Sequence, residues 1–276
     1  MNRLARAIQR IPILNYHSVS DSPDKAMKAF SIAPRDLARQ LDLVVAGGYT
    51  ALTVSQLIEL RDLALPVPDR TVVITFDDGF EDNLTAAEPL LAKRGLPATV
   101  FVTTGFLAGG NGSPYRPPGR MLDRDGVAQL EVAGIEIGSH AHSHRPLDVL
   151  SRAEAREEIQ ISKTVLEAIL RHPVLSFAYP HGYTSRWVED EVRRNGFRSA
   201  CGVANAFSHP GDNPWHLARL TVGPSTTSDT FQSWLNGECA SVASRHERLR
   251  TKGWRGARRA GERANLHLGT FRVGAP

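Results

Sequence analysis

The 276-residue sequence has little of what marks several common protein classes. It contains two cysteines, Cys201 and Cys239, which are far apart and form no metal-binding or redox motif. Aromatic residues make up only 7% of the chain, and no internal repeat is visible. A membrane-spanning helix needs about 18 consecutive apolar residues, and no segment approaches that length. We therefore expect two unrelated thiols and no helical membrane span.

The amino terminus also lacks the pattern of a signal peptide. Met1–Arg10 carries three arginines, but only the short apolar patch Ile11–Leu14 follows it. That patch is too brief for the apolar core of a secretory signal. The sequence predicts a soluble protein that is cytoplasmic or membrane-peripheral.

Charge is distributed unevenly along the chain. Between Arg245 and Arg263, eight basic residues face two acidic ones, a surplus of six that leaves the rest of the chain near −2 when the total is +4. Such a segment can contact phosphates of nucleic acid or anionic lipid headgroups. We favour a solvated, partly disordered tail over residues 236–276, with weak contact to anionic lipid headgroups as an alternative. Nucleic acid is not an expected partner.

Patterns typical of strands and helices alternate over residues 11–235. With 41% hydrophobic residues the chain can bury a large core, and the alternation predicts parallel strands joined by crossover helices in one α/β domain. The predicted strands are 11–17, 71–76, 98–102, 134–139, 174–179 and 197–202. The predicted helices are 34–46, 54–63, 84–94, 125–133, 151–170 and 185–195. The glycine- and proline-rich segment 105–119 is predicted to be a flexible loop.

Two adjacent acids, Asp77 and Asp78, follow the apolar strand Thr71–Phe76. Neighbouring carboxylates repel each other and are costly to bury without a cation or hydrogen-bond donors. The carboxyl ends of parallel strands are also where α/β folds place their sites. Taken alone, the pair fits a helix-capping turn equally well.

Two later predicted strands end in further polar clusters. His140 and His144 are four residues apart, so one turn can aim both rings at the same ion, although a polar surface turn is the alternative. Two histidines and one carboxylate form a known catalytic metal set. The second carboxylate can then accept a proton from the activated water, which attacks an amide or ester carbonyl. Backbone N–H groups near Pro180–Gly182 can stabilise the oxyanion.

Three motifs carry a family resemblance. Thr75–Gly79, Gly138–His140 with His144, and Phe177–Gly182 together resemble the polysaccharide deacetylases of carbohydrate esterase family 4. The resemblance covers residues 11–235. It implies a distorted (β/α) barrel with about seven strands, which hydrolyses acetyl groups on carbohydrates with one divalent metal. We expect zinc, with cobalt, nickel or manganese as alternatives.

The resemblance also implies roles for individual residues. Asp77 is the expected catalytic base, and Asp78, His140 and His144 are the expected metal ligands. His181 and Tyr179 are expected to bind the oxyanion or substrate, with the backbone N–H of His181 as a donor.

The chain departs from the commoner family pattern at three places. Ala141 follows the first histidine where Ser or Thr is usual, Ala178 stands where many members have an arginine, and a late Leu-x-His segment is not evident. Leu14–His17 resembles the start of the branch of bacterial poly-N-acetylglucosamine deacetylases, which implies His17 as the general acid. Arg219 lies in a late segment that also resembles this branch, and it is expected either to orient Asp77 or to form a structural salt bridge.

These expectations describe a metal-dependent hydrolase that removes acetyl groups, most simply N-acetyl groups, from a carbohydrate or polysaccharide. Two alternatives stay open at the level of sequence. One is an amide hydrolase such as a deformylase acting on a small or lipid-linked sugar. The other is a catalytically silent relative that binds carbohydrate.

Overall fold

The computed structural model describes residues 9–108 and 119–243, together with Gly253, Trp254, Gly256 and Arg258. The strands in these residues are short. They are β1 (Ile13–Tyr16), β2 (Ser18–Val19), β3 (Ser31–Ile32), β4 (Thr50–Leu52), β5 (Thr71–Phe76), β6 (Thr99–Val102), β7 (Glu136–Ser139), β8 (Ser176–Ala178), β9 (Ser199–Cys201), β10 (Ala206–Phe207), β11 (Leu220–Thr221) and β12 (Ser241–Val242).

The α-helices of the described residues mostly follow the sheet strands. They are α1 (Pro34–Ala46), α2 (Val54–Asp62), α3 (Glu88–Ala92), α4 (Arg124–Val132), α5 (Arg152–Leu170), α6 (Arg186–Arg194) and α7 (Ser228–Leu235). Shorter helical turns occupy Lys25–Met27, Asn83–Ala87, Thr104–Phe106 and Pro180–Gly182. Within the described ranges, no helix is both long and apolar enough to cross a bilayer.

Seven of the strands form one parallel sheet in the order β11-β1-β5-β6-β7-β8-β9, and β4 pairs with the first half of β5. A bridge between Cys201, at the end of β9, and Leu217, shortly before β11, links the two sides of the sheet. The sheet is therefore curled into a half-barrel surrounded by helices. This confirms the predicted distorted (β/α) barrel with about seven strands.

Alternate residues of the sheet strands pack in two separate apolar clusters. Val73 and Phe101 belong to the smaller cluster, whereas their neighbours Ile74 and Val100 belong to the larger one. The smaller cluster fills the inside of the curl and includes Val54, Leu57 and Ile58 of α2, which closes the end where the strands begin. The larger cluster lies between the sheet and the outer helices. This closure leaves the opposite end, where the strands finish, for the site.

Several predicted boundaries coincide with the observed ones. The helix at 34–46 and the strand at 71–76 are α1 and β5, with the predicted first and last residues. Ser151 caps α5, because its side chain accepts a hydrogen bond from the Glu154 N–H while the Glu154 side chain accepts one from Ser151.

The helix predicted at 84–94 is only partly right. A wider π-helical turn, Asn83–Ala87, precedes the short helix α3. Pro89 lies at the start of α3 and has no N–H group, so it cannot donate the hydrogen bond that would continue a regular α-helix through this point. The strands β2, β3, β4, β10, β11 and β12 were not predicted, since two or three residues are too few to show a period.

Two predictions fall largely outside the described residues. The predicted loop 105–119 lies mostly there, and its first residues belong to the turn Thr104–Phe106. Of the predicted tail 236–276, Ser241–Val242 forms β12, which pairs with β10. Most of the remaining tail is outside the described ranges, so the boundary between residues 235 and 236 stays a prediction.

Glu136, the first residue of β7, connects three elements at the closed end of the barrel. Its carboxylate accepts hydrogen bonds from Thr99 Oγ1 at 2.7 Å, from the Ser55 backbone N–H at 3.1 Å, and from the hydroxyls of Ser55 and Ser176. These donors belong to the starts of α2, β6 and β8. One carboxylate therefore fixes the relative positions of α2 and three neighbouring strands.

The first prediction concerns this carboxylate. Glu136→Gln replaces a charged acceptor of several hydrogen bonds with a neutral amide, so it should lower the free energy of unfolding by about 1.5–3 kcal/mol. Urea denaturation measures the change. The control Glu59→Gln, at an exposed position of α2, should change stability by less than about 0.5 kcal/mol. Equal effects of the two substitutions would contradict the account of Glu136.

Candidate active site and metal centre

The end of β5 places Asp77 and Asp78 in a buried position beside β1. The Asp77 N–H donates to the Tyr16 carbonyl at 2.9 Å, so the two strands finish together and His17 follows at the same edge. Asp78 and Gly79 have φ values of 75° and 84°, and the chain turns sharply there. Glycine suits position 79, because a residue with a side chain would be strained at a φ of 84°. Its Cβ atom would also lie only 3.3 Å from Val102.

Asp78, His140 and His144 form the candidate metal centre, with ligand atoms within 4.8 Å of one another. Asp78 Oδ1 lies 3.5 Å from His140 Nε2 and 3.2 Å from His144 Nε2. This oxygen is buried and accepts no hydrogen bond from the described residues. Atoms that share one tetrahedral zinc with bonds of about 2.0–2.2 Å are about 3.3–3.6 Å apart. The three residues therefore fit a single divalent ion.

The orientation of His140 suits a metal ligand. Its Nδ1 lies 2.8 Å from the Ala178 carbonyl, which can only accept, so Nδ1 carries the proton and Nε2 presents a lone pair to Asp78. Burial lowers the pKa of His140 to about 4. The ring is thus neutral at pH 7, which is the form that binds metal. Strand β7 and the carbonyl at the end of β8 together fix this side chain.

Asp77 is held by Arg219, whose side chain is completely buried. Arg219 Nη1 and Nη2 donate to Asp77 Oδ1 and Oδ2, each at 2.7 Å. Burial is the largest influence and alone would raise the pKa of Asp77. The charge and hydrogen bonds of Arg219, together with the nearby His140 and His17, outweigh burial and hold that pKa below its ordinary value. Asp77 Oδ2 lies 3.9 Å from His140 Nε2. Asp77 is therefore an oriented carboxylate that lies next to the three candidate ligands but is not one of them.

Arg219 also binds two other parts of the barrel. Its Nη1 donates to Thr75 Oγ1 at 3.1 Å and its Nε donates to the Gly202 carbonyl at 2.9 Å. The guanidinium thus links β5 with the segment that follows β9. The contact between Arg219 and Asp77 is a buried ion pair, and it also fixes how the Asp77 carboxylate is oriented. A structural salt bridge and an orienting role are therefore compatible.

His17 lies at the same end of the sheet as the two acids. Its carbonyl accepts a hydrogen bond from Asn83 Nδ2 at 2.8 Å, and its ring packs against Phe30 with 5.2 Å between centroids. In its protonated form this ring would lower the pKa of both Asp77 and Asp78. His17 Nδ1 is buried and has no hydrogen-bond partner among the described residues. One ring nitrogen is therefore not committed to a structural contact.

The two residues expected at the oxyanion site are placed differently. His181 has a φ of 59°, and its ring meets that of His144 edge-on at 4.5 Å between centroids. Tyr179 is fully buried: its N–H donates to the Cys201 carbonyl at 3.0 Å and its hydroxyl to the Trp215 carbonyl at 2.8 Å. Since both donors of Tyr179 are engaged within the fold, only His181 stays a candidate for this role.

Glu158 of α5 supports the turn between His140 and His144. This residue was not among the predicted site residues. Its carboxylate accepts from the His142 N–H at 3.1 Å, from the Ser143 N–H at 2.7 Å and from the Ser143 hydroxyl. Ala141, in the same turn, has a φ of 61° and no hydroxyl to offer. Glu158 therefore supplies hydrogen bonds within the turn from a separate helix. No sequence pattern distinguishes Glu158 from the other acids of α5.

Comparison with known proteins identifies the family. The family model described as "Polysaccharide deacetylase" matches residues 64–200, which include Asp77, Asp78, His140, His144 and His181. The chain belongs to the polysaccharide deacetylase family. It is an enzyme of that class, a hydrolase that removes acetyl groups from polysaccharide.

Individual relatives extend the similarity beyond the matched segment. The candidate polysaccharide deacetylase YxkH of Bacillus subtilis (strain 168) is 22% identical over 226 residues, which cover 82% of this chain and 76% of YxkH. The poly-beta-1,6-N-acetyl-D-glucosamine N-deacetylase of Staphylococcus aureus (strain MRSA252) is 21% identical over 241 residues, covering 80% and 81% of the two chains.

Solved structures share the fold. The deacetylase PplD of Streptococcus pyogenes, in complex with acetate, superposes with a TM-score of 0.71 at 23% identity and covers 81% of this chain and 96% of PplD. IcaB of Ammonifex degensii gives a TM-score of 0.71 at 22% identity, covering 82% and 97%. At these identities the similarity shows the fold alone.

The second prediction concerns the support of the histidine turn. Glu158→Gln removes the charged acceptor and should weaken zinc binding about 10- to 100-fold, as changes beside metal ligands generally do. Isothermal titration of the metal-free protein with zinc measures this. The matched control Glu157→Gln, on the exposed side of the same helix, should bind zinc as the unaltered protein does. Unchanged affinity in Glu158→Gln would show that the turn does not need Glu158.

Proposed function

We propose that this enzyme is a divalent-metal-dependent deacetylase that acts on the N-acetyl groups of N-acetylglucosamine units in a polysaccharide. The observation that carries the proposal is the position of Asp77, fixed by Arg219 and 3.9 Å from His140, next to the three convergent groups of Asp78, His140 and His144. The choice of substrate is supported by the Staphylococcus aureus relative, whose name states that substrate.

Asp78, His140 and His144 would hold one divalent ion, which we propose to be zinc, with cobalt, nickel or manganese as alternatives. Two imidazoles and one carboxylate suit zinc and leave positions open for water and substrate. When bound, such an ion polarises the acetyl carbonyl and lowers the pKa of water toward about 7.

Asp77 acts as the general base in this scheme. It accepts a proton from the water that attacks the acetyl carbon. The bidentate contact with Arg219 fixes both carboxylate oxygens, so the side chain cannot rotate toward the ligand set. Orientation of this kind is what general base catalysis requires, since the base must lie within hydrogen-bond reach of the proton that it removes.

His17 acts as the general acid and protonates the leaving amine nitrogen of the sugar. The supporting observations are its place at the end of β1 beside β5 and a ring nitrogen without a partner among the described residues. The Asn83 hydrogen bond to its carbonyl fixes the backbone at this point. Base and acid thus come from neighbouring strands, and the acetyl group would lie between them.

The backbone N–H of His181 is the proposed donor to the oxyanion that forms at the acetyl carbon. His181 adopts a positive φ, and the following Gly182 has a φ of 71°. A Cβ atom at position 182 would lie only 2.6 Å from Val203. This turn is therefore held in one conformation. A fixed donor next to the metal ligands stabilises developing charge without reorganisation during the reaction.

The third prediction tests the reaction. Asp77→Asn and His17→Ala should each lower acetate release from N-acetylglucosamine oligomers by about 100-fold or more, because each removes a proton-transfer group. His17→Ala should retain the bound metal, since His17 is not among the ligands. Released acetate is quantified enzymatically, with circular dichroism as the check that each variant is folded.

Other outcomes would identify a different function. Binding of the oligomers by the unaltered protein without acetate release would favour the silent carbohydrate-binding relative. Release of formate from a formylated sugar, without acetate release, would favour the deformylase. Full activity in His17→Ala would show that another residue is the acid.

A further inference from the structure

Asp148 is a fully buried acid located four residues after the metal ligand His144. A carboxylate in this position is costly to bury unless a cation neutralises it. Arg258 provides the cation: its Nη1 and Nη2 donate to Asp148 Oδ1 and Oδ2 at 2.9 and 2.8 Å. The two residues are 110 positions apart. A residue of the basic C-terminal region is therefore bound to the loop that leaves the metal centre.

Arg258 makes a second contact, with Tyr183 near the active site. Its guanidinium carbon lies 3.6 Å from the centre of the Tyr183 ring, which is close enough for a cation–π interaction. Tyr183 follows the Pro180–Gly182 turn, and its ring is 6.1 Å from that of His181. The His181 ring in turn contacts His144. Arg258 thus lies two aromatic rings away from a proposed metal ligand.

Trp254 occupies the same region and leaves an aromatic surface exposed. Trp254 and Arg258 both have helical backbone, and both contact Tyr183. The indole Nε1 donates to the Tyr183 hydroxyl at 3.4 Å. Its side chain is 47% exposed, and it is the only aromatic residue among the large exposed apolar side chains of the described residues.

We propose that Trp254 binds the glycan chain at the rim of the active site, by stacking on a sugar unit next to the acetylated unit. The Asp148–Arg258 ion pair and Tyr183 hold Trp254 in this place. Aromatic rings give a flat apolar surface at low conformational cost and keep a polar edge for hydrogen bonds. The apolar face of a pyranose ring is complementary to such a surface. This inference rests on the proposed function and extends it to substrate recognition.

The fourth prediction separates binding of the chain from the reaction itself. Trp254→Ala should raise KM for N-acetylglucosamine oligomers about 3- to 10-fold and leave kcat nearly unchanged, because it removes one stacking contact outside the reacting unit. Hydrolysis of a small aryl acetate, which reaches only the metal centre, should be unaffected. Trp254→Phe keeps an aromatic ring and should retain most of the affinity for the oligomers.

Controls distinguish this inference from the proposed function. Val132→Ala changes an exposed apolar residue at the end of α4, just before the start of β7. The strands begin at the end of the barrel opposite the site, so this substitution should alter neither KM nor kcat. If the unaltered protein releases no acetate, calorimetric binding of the oligomers to the unaltered protein and to Trp254→Ala still tests the role of Trp254. Equal affinity in that comparison, or equal KM in the kinetic one, would overturn the inference.

Anionic vesicles provide the remaining comparison. If Trp254→Ala binds phosphatidylglycerol vesicles more weakly than the unaltered protein and keeps the same affinity for oligomers, Trp254 contacts lipid and the inference is wrong. Weaker oligomer binding with unchanged vesicle binding would support it.

Discussion

The buried ion pair between Asp77 and Arg219 is the interaction on which the rest of the site depends. Two adjacent carboxylates at the end of an apolar strand cannot both be left uncompensated. Arg219 neutralises one of them and occupies both of its oxygens, while the second, Asp78, faces two imidazoles. Removing one partner of such a pair costs about 3–5 kcal/mol, because the other charge stays buried. The orientation of Asp77 and the stability of the barrel therefore have the same source.

The curl of the sheet makes this pairing possible. Arg219 and Asp77 are 142 residues apart. Asp77 directly follows β5 and Arg219 directly precedes β11, and β1 lies between these two strands in the sheet. The bridge between Cys201 and Leu217 brings the β9 side next to the β11 side, so the Arg219 side chain enters the interior of the half-barrel. Ala178, where many members of the family have an arginine, lies in the same interior cluster. In this chain an arginine from a different segment, directly before β11, thus contacts the aspartate.

Local patterns in the sequence predicted most of the architecture, because they depend on near neighbours. The bounds of α1 follow from helical periodicity, and those of β5 from a continuous run of β-branched and apolar residues. The α5 cap follows from Ser151 and Glu154. The candidate ligand set was predictable since two strand ends, those of β5 and β7, carry its residues. The roles of Glu158, Asp148 and Trp254 depend on contacts between distant parts of the chain, which leave no periodic pattern. The roles expected for Arg219 and His17 came only from the family resemblance.

Metal binding tests most directly whether the two adjacent acids, Asp77 and Asp78, have different roles. Each metal-free protein is titrated with zinc by calorimetry, and its folding is checked by circular dichroism. The account predicts that Asp78→Asn loses tight binding, because it loses one of three ligands, whereas folded Asp77→Asn still binds about one ion per chain. Retention of tight binding by Asp78→Asn, or its loss in folded Asp77→Asn, would contradict the account.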